Sequence, residues 1–501
     1  MIEILLTDNP IHKWHRQQGI YTLGNVFIDD VLCTKNEFTE YLKNIKSEAD
    51  FIKAMEKIDG HFSIIIETEN TIFIAVDRIR TFPLFIKNKE KIIITNAIKY
   101  TNETINEAEV ENFKLVYCTL ENNTLLKEWQ QLQAGEFAVI NKATKTVTIQ
   151  PYYRHFTEIK IDKEDTISDY LNYYEKLLVD KIFRYANGRK ILIPLSGGAD
   201  SRYLAALLKQ SGYDNIECYT YGIKKSEEVQ AAEYVCKRLK IKWHFIEYSD
   251  TVLSSFFTTE WMQYAANNHH YTSLPHEQDF FALLYLQQQK LLPQNAVIMN
   301  GFCMDIHAGS YIEHKHTVNL QKFIQEKYGI KPALQQYSNT WDGYKEWLVK
   351  NRLSKFIINS VGVYEYFGLD FYLPFWQLKW INFWYALNNK HLFQQHFYFT
   401  HLYNGIFAKY KINFNQPKFT FYTIKYKLKK LLKNILPNKT VTRIGNSKQK
   451  NIAKNDNNTL FLYHELYKRM KTQPKQKDYK INNIHAQYFL QNLREEIKPN
   501  K

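Results

Sequence analysis

The sequence predicts an α/β protein built from two unlike halves, and three observations predict it. Short β-branched runs crowd roughly the first 155 residues, with little helical patterning between them. Between about residues 190 and 300, apolar strands alternate with amphipathic helices. From Leu320 to about Ala408 the chain is helix-like and rich in aromatic residues. A chain of 501 residues is also too long for a single core. Residues 1–158 therefore read as an antiparallel, β-rich domain. Residues 166–420 read as a doubly wound parallel-sheet domain with a helical extension, and 421–501 as a basic helical tail. The polar connector His155–Asp165 marks the change of grammar.

In the first half, Phe62–Glu67 and Thr71–Val76 are β-branched runs separated by a short polar turn, which predicts a hairpin. Lys91–Thr95, Glu136–Ile140 and Thr146–Ile149 are further strands, and a helix is expected between Lys43 and Ile58. In the second half, Lys190–Leu195 reads as a buried strand and Ser201–Ser211 as a helix closed by Gly212. Ile216–Tyr221 is a strand. Ser226 caps a helix that starts with Glu227 and Glu228 and runs to about Lys240. A strand at Lys242–Glu247, helices near Leu253–Ala266 and Gln278–Leu291, and a strand at Asn295–Met299 complete the alternation. The clusters Phe371–Trp376 and Trp380–Tyr385 read as core. In the tail, Lys425–Leu436 and Ala486–Ile497 have the pattern of short basic helices.

Composition narrows the class. The net charge is +15, yet residues 421–501 hold 19 Lys and Arg against 5 Asp and Glu, so the body is close to neutral. A basic run can anchor nucleic acid or an anionic membrane face. Such runs are common on solvated surfaces, and a nucleic-acid partner is not expected. The five cysteines are scattered with no C-x-x-C pair, which argues against a disulfide framework or a zinc site and fits a cytoplasmic protein. No leader pattern opens the chain, and no apolar run is long enough to span a bilayer.

The chemistry is expected at Ser196-Gly197-Gly198-Ala199-Asp200-Ser201. This hexapeptide lies where a buried strand turns into a helix. Glycines let backbone N–H groups approach an anion, and the helix N-terminus adds its orphan donors and positive dipole end. Ser196 and Ser201 add hydroxyl donors. Asp200 would repel phosphate by itself, so its presence calls for a divalent ion between them, and Mg²⁺ held by a carboxylate and phosphates is the usual arrangement. The pattern is neither G-x-x-x-x-G-K-[ST] nor G-x-G-x-x-G.

The hexapeptide resembles the S-G-G-x-D-S loop of the ATP-pyrophosphatase (PP-loop) superfamily. That resemblance implies a loop gripping the pyrophosphate of ATP while a substrate oxygen attacks the α-phosphorus. Asp59–Ser63, Asp77–Phe85, Ile94–Asn96 and the stretch from Gln133 to Tyr153 are similar to the glutaminase domain of class B asparagine synthetases. The implied fold is an Ntn-hydrolase-like domain followed by a PP-loop domain. Family glutaminases use an N-terminal cysteine, whereas residue 2 here is Ile, so the domain reads as degenerate. Asn300–Ile306 resembles the second synthetase motif, with Asp305 as the second metal-binding carboxylate beside Asp200. Phe302 stands where the synthetases hold a catalytic Glu, and a phenyl ring moves no proton. His307 is a substitute base, and Glu365, in Tyr364–Asp370, is the remaining acid/base candidate. Lys411 or Lys418 would steady the adenylate. The later segments are most like synthetase-related proteins of surface-polysaccharide clusters.

The implied activity is an ATP- and Mg²⁺-dependent ligase that joins a carboxylate, such as aspartate or a sugar acid, to ammonia or an amine. A separate ammonia-supplying subunit and a homodimer are compatible with that reading. The alternatives are a PP-loop enzyme acting on a sugar or on tRNA, and a homologue that binds ATP without catalysis.

Overall fold

The structure is a computed structural model that describes residues 1–99, 103–249, 258–276, 278–313, 318–415, 466–470 and 481–496. In the first half, the predicted hairpin forms from β5 (Ile58–Glu67) and β6 (Thr71–Val76). It sits inside a seven-stranded sheet of order β11-β10-β6-β5-β3-β2, with β4 attached to β3, and every pairing in that sheet is antiparallel. Here β2 is His15–Gln17, β3 is Ile20–Ile28, β4 is Val31–Leu32, β10 is Glu136–Asn141 and β11 is Val147–Pro151. A second sheet has the order β1-β8-β7-β9, from Ile2–Leu5, Ile92–Thr95, Phe85–Asn88 and Trp129–Gln131. Its β1–β8 pair is parallel, which departs from the wholly antiparallel expectation.

The helix expected between Lys43 and Ile58 is α2 (Glu48–Lys57), and a further helix, α1 (Lys35–Leu42), precedes it without having been expected. Each starts at its own capping box, Thr34 with Glu37 and Ser47 with Asp50. The Ser47 side chain competes for backbone N–H groups, so the chain between the two caps cannot continue as one helix. Ile58 is extended and already belongs to β5. A further helix, α3 (Glu107–Val116), had no expectation attached to it.

After the connector, in which Ile161 bridges to Leu387, α4 (Glu164–Ala186) leads into a five-stranded, wholly parallel sheet. Its order is β14-β13-β12-β15-β16, with β12 Ile191–Pro194, β13 Ile216–Gly222, β14 Lys242–Glu247, β15 Val297–Met299 and β16 Asp370–Tyr372. α5 (Ala199–Gln210) follows β12 and α6 (Glu227–Leu239) follows β13, with Ser226 capping α6 as expected. β16 was read as part of a helical stretch; it is three residues long, too short for a period to register. The helix placed near Leu253–Ala266 is observed as Thr259–Asn268, and the start of the expected range lies outside the described residues. Trp347, Trp380 and Trp384 are fully buried, so the aromatic clusters are core.

The two halves share one continuous apolar core. Polar contacts join them as well. Lys181 of α4 donates to Asp59 (2.6 Å), whose other oxygen accepts the Leu378 N–H (3.0 Å). Asn25 Nδ2 of β3 donates to Tyr185 OH of α4 (2.8 Å). The helix Ile481–Glu496 packs on α3, with Phe489 against Phe113 and Tyr117 hydrogen-bonded to Asn483 (2.6 Å). It begins before the expected Ala486, while Lys425–Leu436 lies outside the described residues. No helix among the described residues is long and apolar enough to cross a membrane.

Candidate functional site

β12 is flanked by β13 and β15, and the chain leaves its carboxyl end at Leu195. In open parallel sheets this edge is where ligands bind. The Leu195 N–H donates to Tyr219 O (2.9 Å), and Thr220 Oγ1 donates to Leu195 O (2.6 Å), which holds the strand end in register. The loop then turns on itself. Ser196 N–H donates to Ser201 Oγ (3.1 Å), the two hydroxyls lie 3.1 Å apart, and Gly198 N–H donates to Ser196 Oγ (3.2 Å). Arg202 grips the loop from the protein side. It is buried, donates to Gly197 O (2.8 Å) and Ile412 O (2.9 Å), and lies 3.9 Å from the Phe414 ring centroid.

The N-cap of α5 is Gly198, and no side chain caps the helix. Its first N–H groups are therefore available to an anion in the cleft. The glycines act through close approach rather than unusual torsions, since Gly198 has φ −71°. A Cβ on Gly197 would lie 3.2 Å from Glu228 Cα. Gly301 is tighter still, where a Cβ would lie 2.7 Å from the Asp200 carbonyl carbon and 2.8 Å from Ser201 N. The loop after β15 thus packs backbone to backbone on the start of α5.

That packing brings Asp305 to Asp200. The Asp305 N–H donates to Asp200 Oδ2 (3.1 Å), Tyr398 OH donates to Asp200 Oδ1 (2.9 Å), and Ser310 OH donates to Asp305 Oδ2 (2.9 Å). Burial and the adjacent Asp305 charge push the Asp200 carboxyl up to about 7. Burial raises Asp305 as well. Two carboxylates in one dry corner repel, and a divalent cation between them would relieve both.

Both aspartates line a cleft of about 500 Å³ together with Ser196, Gly198 and Ser201. That volume suits a small-molecule ligand. The other walls are the end of β13 (Tyr219–Tyr221), Glu228, the start of the helix Gln278–Gln288, the loop Asn300–Asp305, and Gln395 and Phe399. Phe302 is on the lining.

The two proposed acid/base residues are elsewhere. His307 is buried, sits edge-on to Trp376 at 4.5 Å, and is not on the cleft lining. Burial and the nearby Lys345 charge lower it to about 3, so it stays neutral. It follows Asp305 by two residues on a four-residue helix, which turns its ring into the core. Glu365 is also absent from the lining. Its Oε1 accepts from Asn9 and faces His12 Nδ1 at 3.1 Å, while His12 Nε2 lies 3.4 Å from Asp370. Burial opposes a charge on His12, but the bonds to Asp370 and Glu365 outweigh it and raise the imidazole to about 9. Glu365 therefore belongs to an ion cluster joining the two halves. Lys411 caps a short helix with φ 57°, its carbonyl accepts from Tyr234 (3.0 Å), and it does not line the cleft. Lys418 lies outside the described residues.

Sequence reasoning missed Tyr398, Thr220, His276, Asp279, Gln395 and Phe399. Thr220 was within reach, because it lies near the carboxyl end of the strand beside β12. Tyr398 is 198 residues from Asp200, and no spacing pattern encodes that contact.

Comparison with known proteins places one segment. Residues 177–262 match the family model of asparagine synthase. A tRNA(Ile)-lysidine synthase from Porphyromonas gingivalis is 36% identical over 76 residues, which is 14% of this chain and 16% of that protein. The NMN synthetase of Francisella tularensis covers 29% of this chain and 58% of its own, at 19% identity and a TM-score of 0.21. The B. subtilis glutamine phosphoribosylpyrophosphate amidotransferase covers 58% of this chain and 64% of its own, at 9% identity and a TM-score of 0.19. The segment from α4 through the Ser196–Ser201 loop to β14 and beyond is asparagine synthase-like.

Proposed function

We propose that the chain is an ATP-dependent amidoligase that adenylates a substrate carboxylate, releases pyrophosphate, and forms an amide. One observation carries this reading: an uncapped helix N-terminus and two mutually repelling carboxylates converge on the same cleft. The carboxylate oxygen bonds to the α-phosphorus of ATP as the bond to pyrophosphate breaks, and the nitrogen nucleophile then displaces AMP from the acyl carbon. The α5 N–H groups, with Ser196 and Ser201, hold the pyrophosphate oxygens and are fixed in place before the reaction. Asp200 and Asp305 fit Mg²⁺, being hard oxygen donors whose repulsion a cation relieves. When bound, Mg²⁺ supplies charge neutralisation at the phosphates. Tyr398 and Ser310 orient the two carboxylates.

The β-rich half reads as a degenerate, glutamine amidotransferase-like Ntn domain. Four of the five cysteines are buried, and burial raises the thiol of the fifth, Cys33, so none is placed as a thiolate nucleophile. Nitrogen then comes from free ammonia, an ammonia-supplying partner subunit or an amine. The acid, whether aspartate or a sugar acid, is the open choice. A second reading, tRNA as the activated substrate, draws on the 76-residue similarity and the basic residues 421–501.

The test is ATP–pyrophosphate exchange across aspartate and uronic acids. Exchange that depends on one acid and is lost in Asp200→Ala supports the proposal. Exchange that survives that substitution refutes the site.

A further inference from the structure

Within the adenylation reading, the cleft must also receive a nitrogen nucleophile and dispose of its protons. The described residues lining it include four carboxylates, Asp200, Glu228, Asp279 and Asp305, and no Lys or Arg. Asp200 and Asp305 form the pair beside the phosphate loop, and Glu228 lies against Gly197 in that same loop. Asp279 stands apart, on the first turn of the helix Gln278–Gln288. Its Oδ2 accepts from Tyr364 OH (3.0 Å), and Asn300 Nδ2 donates to that same hydroxyl (3.4 Å). Tyr364 therefore fixes the Asp279 carboxylate against the foot of the loop that carries Phe302 and Asp305. His276 Nε2 lies 4.0 Å from Asp279 Oδ2 and is itself buried, while the side chain as a whole is 22% exposed. Glu365 and His307 lie outside the cleft, and burial raises the hydroxyls of Tyr219 and Tyr221 well above 10.

We infer that the nucleophile enters as a cationic primary amine, its ammonium held by Asp279 and its proton taken by His276. A buried carboxylate that accepts from a hydroxyl attracts a cation, and among the described residues of the lining no Lys or Arg competes for it. The imidazole takes one proton from the ammonium, which frees the nitrogen lone pair. That nitrogen bonds to the acyl carbon, the carbon–oxygen bond to the phosphate breaks, and AMP leaves with the electron pair. His276 passes its proton to water and removes the second proton as the amide forms.

The test uses full-length protein with Mg²⁺ and α,β-methylene-ATP, titrated with 1,5-diaminopentane or with 1,5-pentanediol, two probes of equal length of which only the first is cationic. The diamine is expected to bind and the diol not. Asp279→Asn weakens the diamine about tenfold or more, while His276→Gln leaves its affinity unchanged. Equal diamine affinity in wild type and Asp279→Asn, or equal affinity for the diol, overturns the inference while leaving adenylation standing. A loss in His276→Gln equal to that in Asp279→Asn overturns the division of roles. If Asp279→Asn no longer binds nucleotide, the wild-type contrast between the two probes decides alone. Failure of wild type to bind the nucleotide overturns both readings.

Discussion

Asp77 in the antiparallel half and Asp200 in the parallel half are the same side chain in dry surroundings, with opposite outcomes. Asp77 is fully buried and accepts from the N–H groups of Phe62 (3.0 Å), Ile79 (2.8 Å) and Thr81 (3.1 Å). Burial pushes it up to about 6 even against those bonds. Asp200 has two donors, a second carboxylate beside it and a cleft in front of it. Burial alone thus does not mark a reactive acid. Asp77 is a staple whose acceptor sites are taken, whereas Asp200 sits beside a repelling neighbour and faces open volume.

The largest expected effect breaks that comparison in both directions. Asp200→Ala removes a metal-holding oxygen and should cut ATP–pyrophosphate exchange by about 10²–10³-fold, the scale of losing one preorganised electrostatic group. Its melting temperature should hold or rise, because a buried repulsion goes with it. Asp77→Ala should do the reverse. It strands buried N–H groups at about 1–3 kcal/mol each, which thermal unfolding reads as a large drop in melting temperature. If both substitutions act mainly on stability, the functional assignment of Asp200 fails.

The same contrast explains what could be read from the sequence. The Ser196–Ser201 loop was legible because its signal is local: an apolar strand, two glycines and a helix in direct succession. The β5–β6 hairpin was legible for the same reason. Glu365 and His307 were not. Both sit in plausible motifs, but Glu365 is claimed by Asn9 and His12, more than 350 residues earlier in the chain. His307 is turned into an aromatic core by the short helix it ends. Tyr398 meets Asp200 and Asp279 lines the cleft from helices far along the chain from the loop, so only the packed fold brings them together.

The Glu365 cluster behaves as a staple of the first kind, and pH exposes it. His12 titrates near 6.5 in an unfolded chain and near 9 here. The stability it contributes is complete below pH 6.5 and is lost as pH rises through 9. The span corresponds to about 3 kcal/mol. Chemical denaturation between pH 6.5 and 9.5 should show this loss, and His12→Gln should flatten it. Glu365→Gln should lower stability yet leave pyrophosphate exchange near wild type. Loss of exchange without loss of stability would return Glu365 to the chemistry.

A smaller effect concerns the metal. The unfolded chain releases the Asp200 proton near 3.8, while the folded protein holds it to about 7. The metal-free protein therefore loses stability as pH climbs across that window. Mg²⁺ should restore it, raising the melting temperature more at pH 8 than at pH 5. At about one hundred times its dissociation constant the gain is ~2.7 kcal/mol. Asp200→Asn should remove both the pH slope and the Mg²⁺ response.

Tyr398→Phe is the mildest and most discriminating change. It deletes one hydroxyl and leaves the ring, which packs edge-on against Tyr203 and Trp384. The lost bond to Asp200 Oδ1 is worth about 0.5–1.5 kcal/mol. If Tyr398 only packs, exchange is unchanged and the melting temperature slips slightly. If it orients the metal-holding oxygen, the Mg²⁺ concentration giving half-maximal exchange rises by about two- to tenfold, with little change at saturating Mg²⁺. The hydroxyl also stabilises the ionised form of Asp200, so its removal should raise the carboxyl further. The Mg²⁺ response would then shift to higher pH, a displacement that loss of packing does not produce.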